Sequence, residues 1–192
     1  AHLESINVDS MITREMKKDL QRLERITDRF SKIGSESKLE DVDIVKTINQ
    51  NLEYLKVRLS NKVEITLESL LEKNIRVYHN QSLMDWVIEN LCKNSVDAMQ
   101  GVGLLSIQVL KEKKFVHIDI TDSGKGIPSK NQKAIFDPGY STKKRGWGLG
   151  LALVKRIICE HHKGKVFVLK SKVDQGTTIR ISLPISHQET LA

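Results

Sequence analysis

GYSTKKRGWGLGLALVKRI, residues 139–157, starts as a loop and ends as a helix. Three consecutive cations, Lys143, Lys144 and Arg145, run into alternating glycines, Gly146, Gly148 and Gly150, and an apolar run at helical spacing follows. Glycines at a helix start leave backbone N–H groups exposed, and the helix dipole favours negative charge there. Lys143 and Arg145 add charge-assisted contacts. The segment predicts a phosphate lid hinged on a helix that starts at Gly148 and runs to His162. It is not the Walker pattern, because no Lys-Ser or Lys-Thr pair follows the glycines into the helix.

Upstream lies VHIDITDSGKGIP, residues 116–128. Strand alternation places Val116, Ile118 and Ile120 on one face and Asp122 with them. An inward carboxylate is unfavourable unless it is paired. Gly124 and Gly126 lack side chains, so a flat ligand is expected to approach the backbone, and Asp122 suits the exocyclic amine of adenine. The plainer alternative is a capping Asp before a glycine turn. His117 has the opposite parity and reads as a solvated strand residue. Residues 123–147 are long for a loop in a compact domain, which favours a functional lid over 131–147.

Further upstream, a helix predicted over Asn80–Met99 contains ENLCKNSVDA, residues 89–98. At about 100° per residue, Asn90, Asn94 and Asp97 share one narrow stripe, while Met84, Ile88, Cys92 and Met99 lie opposite. Amide oxygens are neutral hard ligands that suit Mg2+ bridging phosphates. The same stripe also fits an ordinary polar helix face.

The rest of the chain supplies a frame for these three sites. Residues 9–34 read as one amphipathic helix, with Ile12, Met16, Leu23, Ile26, Phe30 and Ile33 at alternating three-and-four spacing. A polar stretch from Glu36 leads into a second helix ending near Ser60. Strand periodicity marks Val63–Leu67, Leu105–Val109, Val116–Ile120, Lys165–Lys170 and Thr177–Leu183. This predicts an α+β two-layer sandwich, with a mixed, mainly antiparallel sheet and helices on one face, preceded by the long helix. The expected division is a helical segment over 1–40 and a globular domain over 41–192. With 192 residues and 39% apolar content, an ordinary core is affordable, and no apolar run is long enough to span a bilayer. The net charge of +7 is spread along the chain and aromatics are only 5%, which argues against a base-stacking nucleic-acid surface. His2, Glu4 and Asp9 fall where a signal peptide needs apolar residues. Cys92 and Cys159 read as reduced core thiols, which points to a cytoplasmic compartment.

Taken in order, these segments resemble the ATP-binding domain of sensor histidine kinases, in the wider family shared with type II topoisomerases, MutL and heat-shock chaperone ATPases. ENLCKNSVDA resembles the N box, DSGKGI (122–127) the first glycine box, and FDPGYSTK (136–143) the F box and lid. GWGLGLAL (146–153) resembles the second glycine box and GTT (176–178) the last. The resemblance covers residues 41–192. It implies a Bergerat-type sandwich with ATP between helices and sheet, Mg2+ on Asn90 and Asn94, and adenine read by Asp122. The nucleotide site it implies includes Asn94, Asp97, Asp122, Gly124, Gly126, Ile127, Tyr140, Ser141, Thr142, Lys143, Gly146, Gly148, Leu149, Gly150, Leu151 and Thr177. Asn90, Asn94, Lys143 and Arg145 are the implied catalytic residues. Implied partners are the histidine-bearing helix of a parent kinase, a response regulator receiver domain and, through the N-terminal helix, a second copy. The parent is expected to be a longer protein, either soluble or membrane-anchored.

One element of that pattern is missing. None of His2, His79, His117, His161, His162 and His187 sits on a helix in the His-Glu or His-Asp context of a phosphoacceptor, so the acceptor is expected outside this chain. In the hydrolytic relatives, a glutamate one helical turn before the magnesium asparagine activates water. Here that position is Asn90, and Glu89 is rotated about 100° from the stripe. Histidine-kinase chemistry is therefore expected over ATP hydrolysis. A nucleotide-gated interaction module and a protein-serine kinase are the remaining alternatives.

Overall fold

The computed structural model describes residues 38–70, 76–143 and 148–185, together with Thr13 and Met16. The chain divides into two compact units, Ala1–Ser37 and Lys38–Ala192. In the first, Thr13 and Met16 are helical and exposed. The rest of the helix predicted over 9–34, with Ile12, Leu23, Ile26, Phe30 and Ile33 of its expected apolar stripe, lies outside the described residues.

The second unit is built on strand alternation. Strands β2 (Val63–Ser69), β4 (Gly103–Glu112), β5 (Phe115–Asp122), β6 (Lys165–Ser171) and β7 (Thr177–Pro184) form one sheet in the order β2-β4-β5-β7-β6. The β2–β4 pair is parallel and the others are antiparallel. Leu105, Ile107 and Val109 of β4 face the core with Val116, Ile118 and Ile120 of β5 and Ile181 and Leu183 of β7. Three helices supply the other layer: α1 (Ile44–Lys56), α2 (Gln81–Ala98) and α3 (Gly150–Arg156). In α1, Ile44, Ile48, Leu52 and Leu55 recur at helical spacing and are buried. Helix α2 packs on β4 and β5 and lies against both α1 and α3. No helix among the described residues is long and apolar enough to cross a membrane.

A second, two-stranded sheet was not expected. Strand β1 (Glu40–Asp43) pairs antiparallel with β3 (Arg76–His79). Each strand of this ribbon delivers the chain directly into a helix cap. Asp43 Oδ1 accepts from the amides of Val45 at 2.9 Å and Lys46 at 3.2 Å, and Asn80 Oδ1 accepts from the Leu83 amide at 3.0 Å. Such caps contribute about 1 kcal/mol each. Helix α1 therefore starts at Ile44 and stops at Lys56, short of Ser60.

Three further expectations are corrected. The helix predicted from Gly148 to His162 is α-helical only over Gly150–Arg156 and widens into a π turn, Ile157–His161. Cys159 is exposed rather than a core thiol, because the buried stripe passes through Val154, Ile157 and Ile158 beside it. Cys92 is buried as expected, and burial pushes its thiol up to about 12. His117 is not solvated: it is 9% exposed, and its Nδ1 lies 2.8 Å from Ser182 Oγ on the neighbouring strand. Next to it, Asp119 accepts both Arg180 Nε and Nη2 at 2.6 Å, so the outer face of the sheet carries a polar ladder.

The ribbon is locked to the core by two buried histidines. His79 Nδ1 meets the Val77 carbonyl at 3.0 Å and its Nε2 meets Thr47 Oγ1 at 3.0 Å. His162 Nε2 accepts the Asn80 amide at 3.1 Å, and its Nδ1 donates to the Ile157 carbonyl at 2.9 Å. An imidazole that accepts at one nitrogen is neutral. Burial lowers the His162 pKa to about 4 from 6.5. The folded pKa is depressed, so the unfolded chain takes up the proton first. His162 therefore contributes stability above pH 6.5 that is lost as pH falls toward about 4. The loss is on the order of 3 kcal/mol. Denaturant unfolding followed across this range should show that loss in the native chain and a smaller one in His162→Gln.

Candidate nucleotide site

The three predicted sites converge where the C-terminal half of α2, the loop after β5 and the start of α3 meet. Asp122, the last residue of β5, is 7% exposed and points inward with Ile118 and Ile120, as alternation predicts. Burial raises its pKa. The Gly124 amide, at 2.8 Å from Oδ1, the Ser95 side chain and the Thr177 amide oppose that shift. Asp122 thus turns inward and also caps the glycine turn. Ser95 escaped the sequence analysis. Its signal was a polar residue at a buried position, flanked one turn earlier by Leu91 and Cys92.

Gly124 and Gly126 do not open space for a ligand. A Cβ on Gly124 would lie 2.7 Å from the Ala98 carbonyl carbon at the end of α2. On Gly126, at φ +67°, it would lie 2.0 Å from the Lys172 carbonyl oxygen. These glycines let the loop pack against α2 and the β6–β7 turn. Ile127 and Gln132 secure it further: the Ile127 amide donates to Ser171 Oγ at 2.8 Å, and Gln132 Nε2 donates to the Ile127 and Ser171 carbonyls at 3.1 and 3.2 Å. The lid predicted over 131–147 includes anchored residues, because Ile135 and Phe136 are buried in a 3-10 turn, Ala134–Phe136.

Beyond that anchor, the Gly139 amide donates to the Gly148 carbonyl at 3.1 Å. Gly148 has φ +65°, and a Cβ there would lie 2.3 Å from the Gly139 carbonyl carbon. Tyr140, Ser141, Thr142 and Lys143 follow Gly139, with the Lys143 amide donating to Ser141 Oγ at 3.1 Å. Lys144–Trp147, including Arg145 and Gly146, lie outside the described residues. Among the described residues no side-chain cap is formed at Leu149, the start of α3, in contrast to α1 and α2. The first amides of a helix have no intrahelical acceptor.

On α2, Asn90 and Asn94 are half-buried and Asp97 is exposed. Asn90 Nδ2 donates to the Trp86 carbonyl at 2.9 Å, and Asn90 Oδ1 lies 3.1 Å from where a Gly150 Cβ would stand. Glycine at 150 therefore admits Asn90 to the start of α3. Glu89 turns away and pairs with Lys93. Lys143 Nζ donates to Asn94 Oδ1 at 3.0 Å and to Asp97 Oδ2 at 2.5 Å. The oxygen stripe thus already gathers round a cation. Among the described residues there is no cluster of three or more His, Cys, Asp or Glu that suits a metal, so amide oxygens and one carboxylate are the available donors.

Residues 79–187 match the family model described as histidine kinase-, DNA gyrase B-, and HSP90-like ATPase. The chain belongs to this ATPase family. Among curated relatives, sporulation kinase B of Bacillus subtilis (strain 168) is 34% identical over 68% of the chain, and sensor histidine kinase ZraS of Escherichia coli (strain K12) is 31% identical over 89%. The chain spans 30% and 37% of the lengths of these two proteins. Histidine kinase ThkA, solved in complex with response regulator protein TrrA, shares the fold with a TM-score of 0.71 at 21% identity. That match covers 88% of this chain and 49% of the other. The two-layer ATPase fold of this family is thus the one assembled here.

The glycine geometry predicts unequal substitution effects. Gly126→Ala forces both a left-handed backbone and a backbone clash, whereas a Cβ on Gly139, at φ +84°, would meet nothing within 4 Å among the described residues. Urea unfolding should show a loss of about 2–4 kcal/mol for Gly126→Ala and about 1 kcal/mol for Gly139→Ala.

Proposed function

We propose that this chain is the ATP-binding kinase module of a two-component sensor histidine kinase, transferring the ATP γ-phosphate to a histidine that lies outside this chain. The observation that carries the reading is the chemistry around Asn90. It stands one turn before Asn94, its amide is engaged with the Trp86 carbonyl, and the adjacent carboxylate of Glu89 is turned onto Lys93. The position one turn before Asn94 thus carries an amide and no carboxylate to activate water, the Asp97 carboxylate of the same stripe is paired with Lys143, and general-base catalysis contributes roughly 100- to 10,000-fold where it operates. The names of the relatives, sporulation kinase B and sensor histidine kinase ZraS, support the same class.

In this reading Asp122 accepts the adenine amine from inside the sandwich, at the end of β5. Asn94, assisted by Asn90, offers amide oxygens to Mg2+, and Asp97 lies on the same stripe. Bound there, Mg2+ would neutralise phosphate charge. Lys143, Arg145 and the amides at the start of α3 supply positive potential for the phosphates. Tyr140, Ser141, Thr142, Leu149, Leu151 and Thr177 complete the surroundings of the nucleotide. A response regulator receiver domain, and a second copy through the N-terminal helix, are the proposed partners. ThkA, which shares the fold, was solved with its response regulator.

Calorimetry with a non-hydrolysable ATP analogue tests the site. Asp122→Asn should weaken binding at least about tenfold, about 1.4 kcal/mol, and narrow the preference over the guanine analogue. Equal affinities would remove Asp122 from base recognition. Asn94→Ala should abolish the Mg2+-dependent part of the affinity and leave metal-free binding within about twofold. The reaction class is tested with labelled ATP. The chain should hydrolyse ATP slowly and pass label to a histidine only when an acceptor helix is supplied. Rapid multiple-turnover hydrolysis without an acceptor would place it with the hydrolytic members instead.

A further inference from the structure

We propose that Lys143 is a built-in counter-cation of the α2 stripe, held by Asp97 and Asn94 in the nucleotide-free protein and handed to the phosphates when metal and nucleotide bind. Asp97 is a positioning residue that sets where the lysine waits. The proposal rests on reading the stripe as the metal and phosphate face.

Like Arg76–Asp41 and Arg180–Asp119, the contact joins separate elements, and it differs from the helical ion pairs among the described residues. Lys56–Glu53, Lys93–Glu89 and Arg156–Glu160 each join residues three or four apart on a single helical segment. Lys143 instead reaches 46 residues back in sequence, from the lid to α2, to meet Asp97. Its ammonium is shared with Asn94 Oδ1, the oxygen assigned to the metal. One amide oxygen therefore serves two cations in turn, and the lysine occupies the position only while the metal is away.

Charge gives the arrangement a purpose. A bare carboxylate at Asp97 would face an incoming triphosphate and repel it, and Lys143 neutralises that charge. An ammonium has three N–H donors and no acceptor. Two donors are used on Asn94 and Asp97, which leaves one to engage a phosphate oxygen before the other bonds are released. The two side chains are 49% and 56% exposed, so the pair is weak and open to exchange. A latch that must yield to metal and nucleotide requires that weakness.

The experiment is a double-mutant cycle on Asp97→Asn and Lys143→Gln, read by calorimetry with a non-hydrolysable ATP analogue in the presence of a chelator. Asp97→Asn should tighten metal-free binding about three- to fivefold, because Lys143 is freed for the phosphates. In the Lys143→Gln background the same substitution should give no gain beyond about twofold. Equal gains in both backgrounds would reduce Asp97 to simple repulsion and overturn the latch, as would no gain in either. In the nucleotide-free protein, amide hydrogen exchange over residues 139–143 should rise on Asp97→Asn, and unchanged exchange overturns the latch without touching the site assignment. Failure of all four proteins to bind the analogue, with or without Mg2+, would sink the site assignment and the latch together.

Discussion

The Asp122 carboxylate sits where an apolar column ends, and the loops around it are arranged by the need to solvate it without bulk water. Val116, Ile118 and Ile120 beneath it are at most 1% exposed, and Asp122 itself is 7% exposed. A carboxylate so placed is driven toward its neutral form unless hydrogen bonds oppose the burial. Those bonds come from three separate elements: the Gly124 amide in the following loop, Ser95 on α2 and the Thr177 amide at the start of β7. One side chain therefore ties together the shape of the glycine loop, the seating of α2 and the register in which Thr177 lies opposite Asp122. If β7 slipped by one residue against β5, its own apolar face, with Ile181 and Leu183, would turn outward as well.

The two ends of the domain treat polar groups in opposite ways. At the ribbon end both helix starts and both buried histidines are satisfied internally. Asp43 and Asn80 cap their helices, and His79 and His162 hold both ring nitrogens in hydrogen bonds inside the core. At the other end no side-chain cap is formed at the start of α3 among the described residues, and the Asn94 and Asp97 oxygens are met by a lysine from a distant loop. The rigid end holds the helices so that the open end keeps its geometry.

Much of this was legible in the sequence because it depends on periodicity. Val116, Ile118 and Ile120 carried Asp122 inward by parity alone, and the 100° step of a helix separated Asn90, Asn94 and Asp97 from Met84, Ile88 and Cys92. What stayed hidden depends on partners far apart in the chain. Strands β1 and β3 have four residues each, too few for alternation to stand out, and they exist because Glu40 finds His79. His117 looked like a surface residue, because parity cannot show that Ser182 on the neighbouring strand meets its ring. The glycine boxes carry a packing requirement that the sequence does not display: at Gly124 and Gly126 the space of a Cβ is taken by Ala98 and Lys172. The π turn at Ile157 has no compositional mark at all.

Strand order has a consequence for how the molecule is made. The last strand in the described chain, β7, is not at an edge but lies between β5 and β6. During synthesis β2, β4 and β5 emerge first, and β5 carries an open hydrogen-bonding edge until the lid, α3 and β6 have all followed. Unpaired strand edges invite association with other chains. The polar pair of Asp119 and Arg180 spans that late junction, with its carboxylate on the waiting strand and its guanidinium on the arriving one. A nascent chain halted before Thr177 would expose one side of β5, charged at Asp119, a residue poorly suited to pairing with a copy of itself.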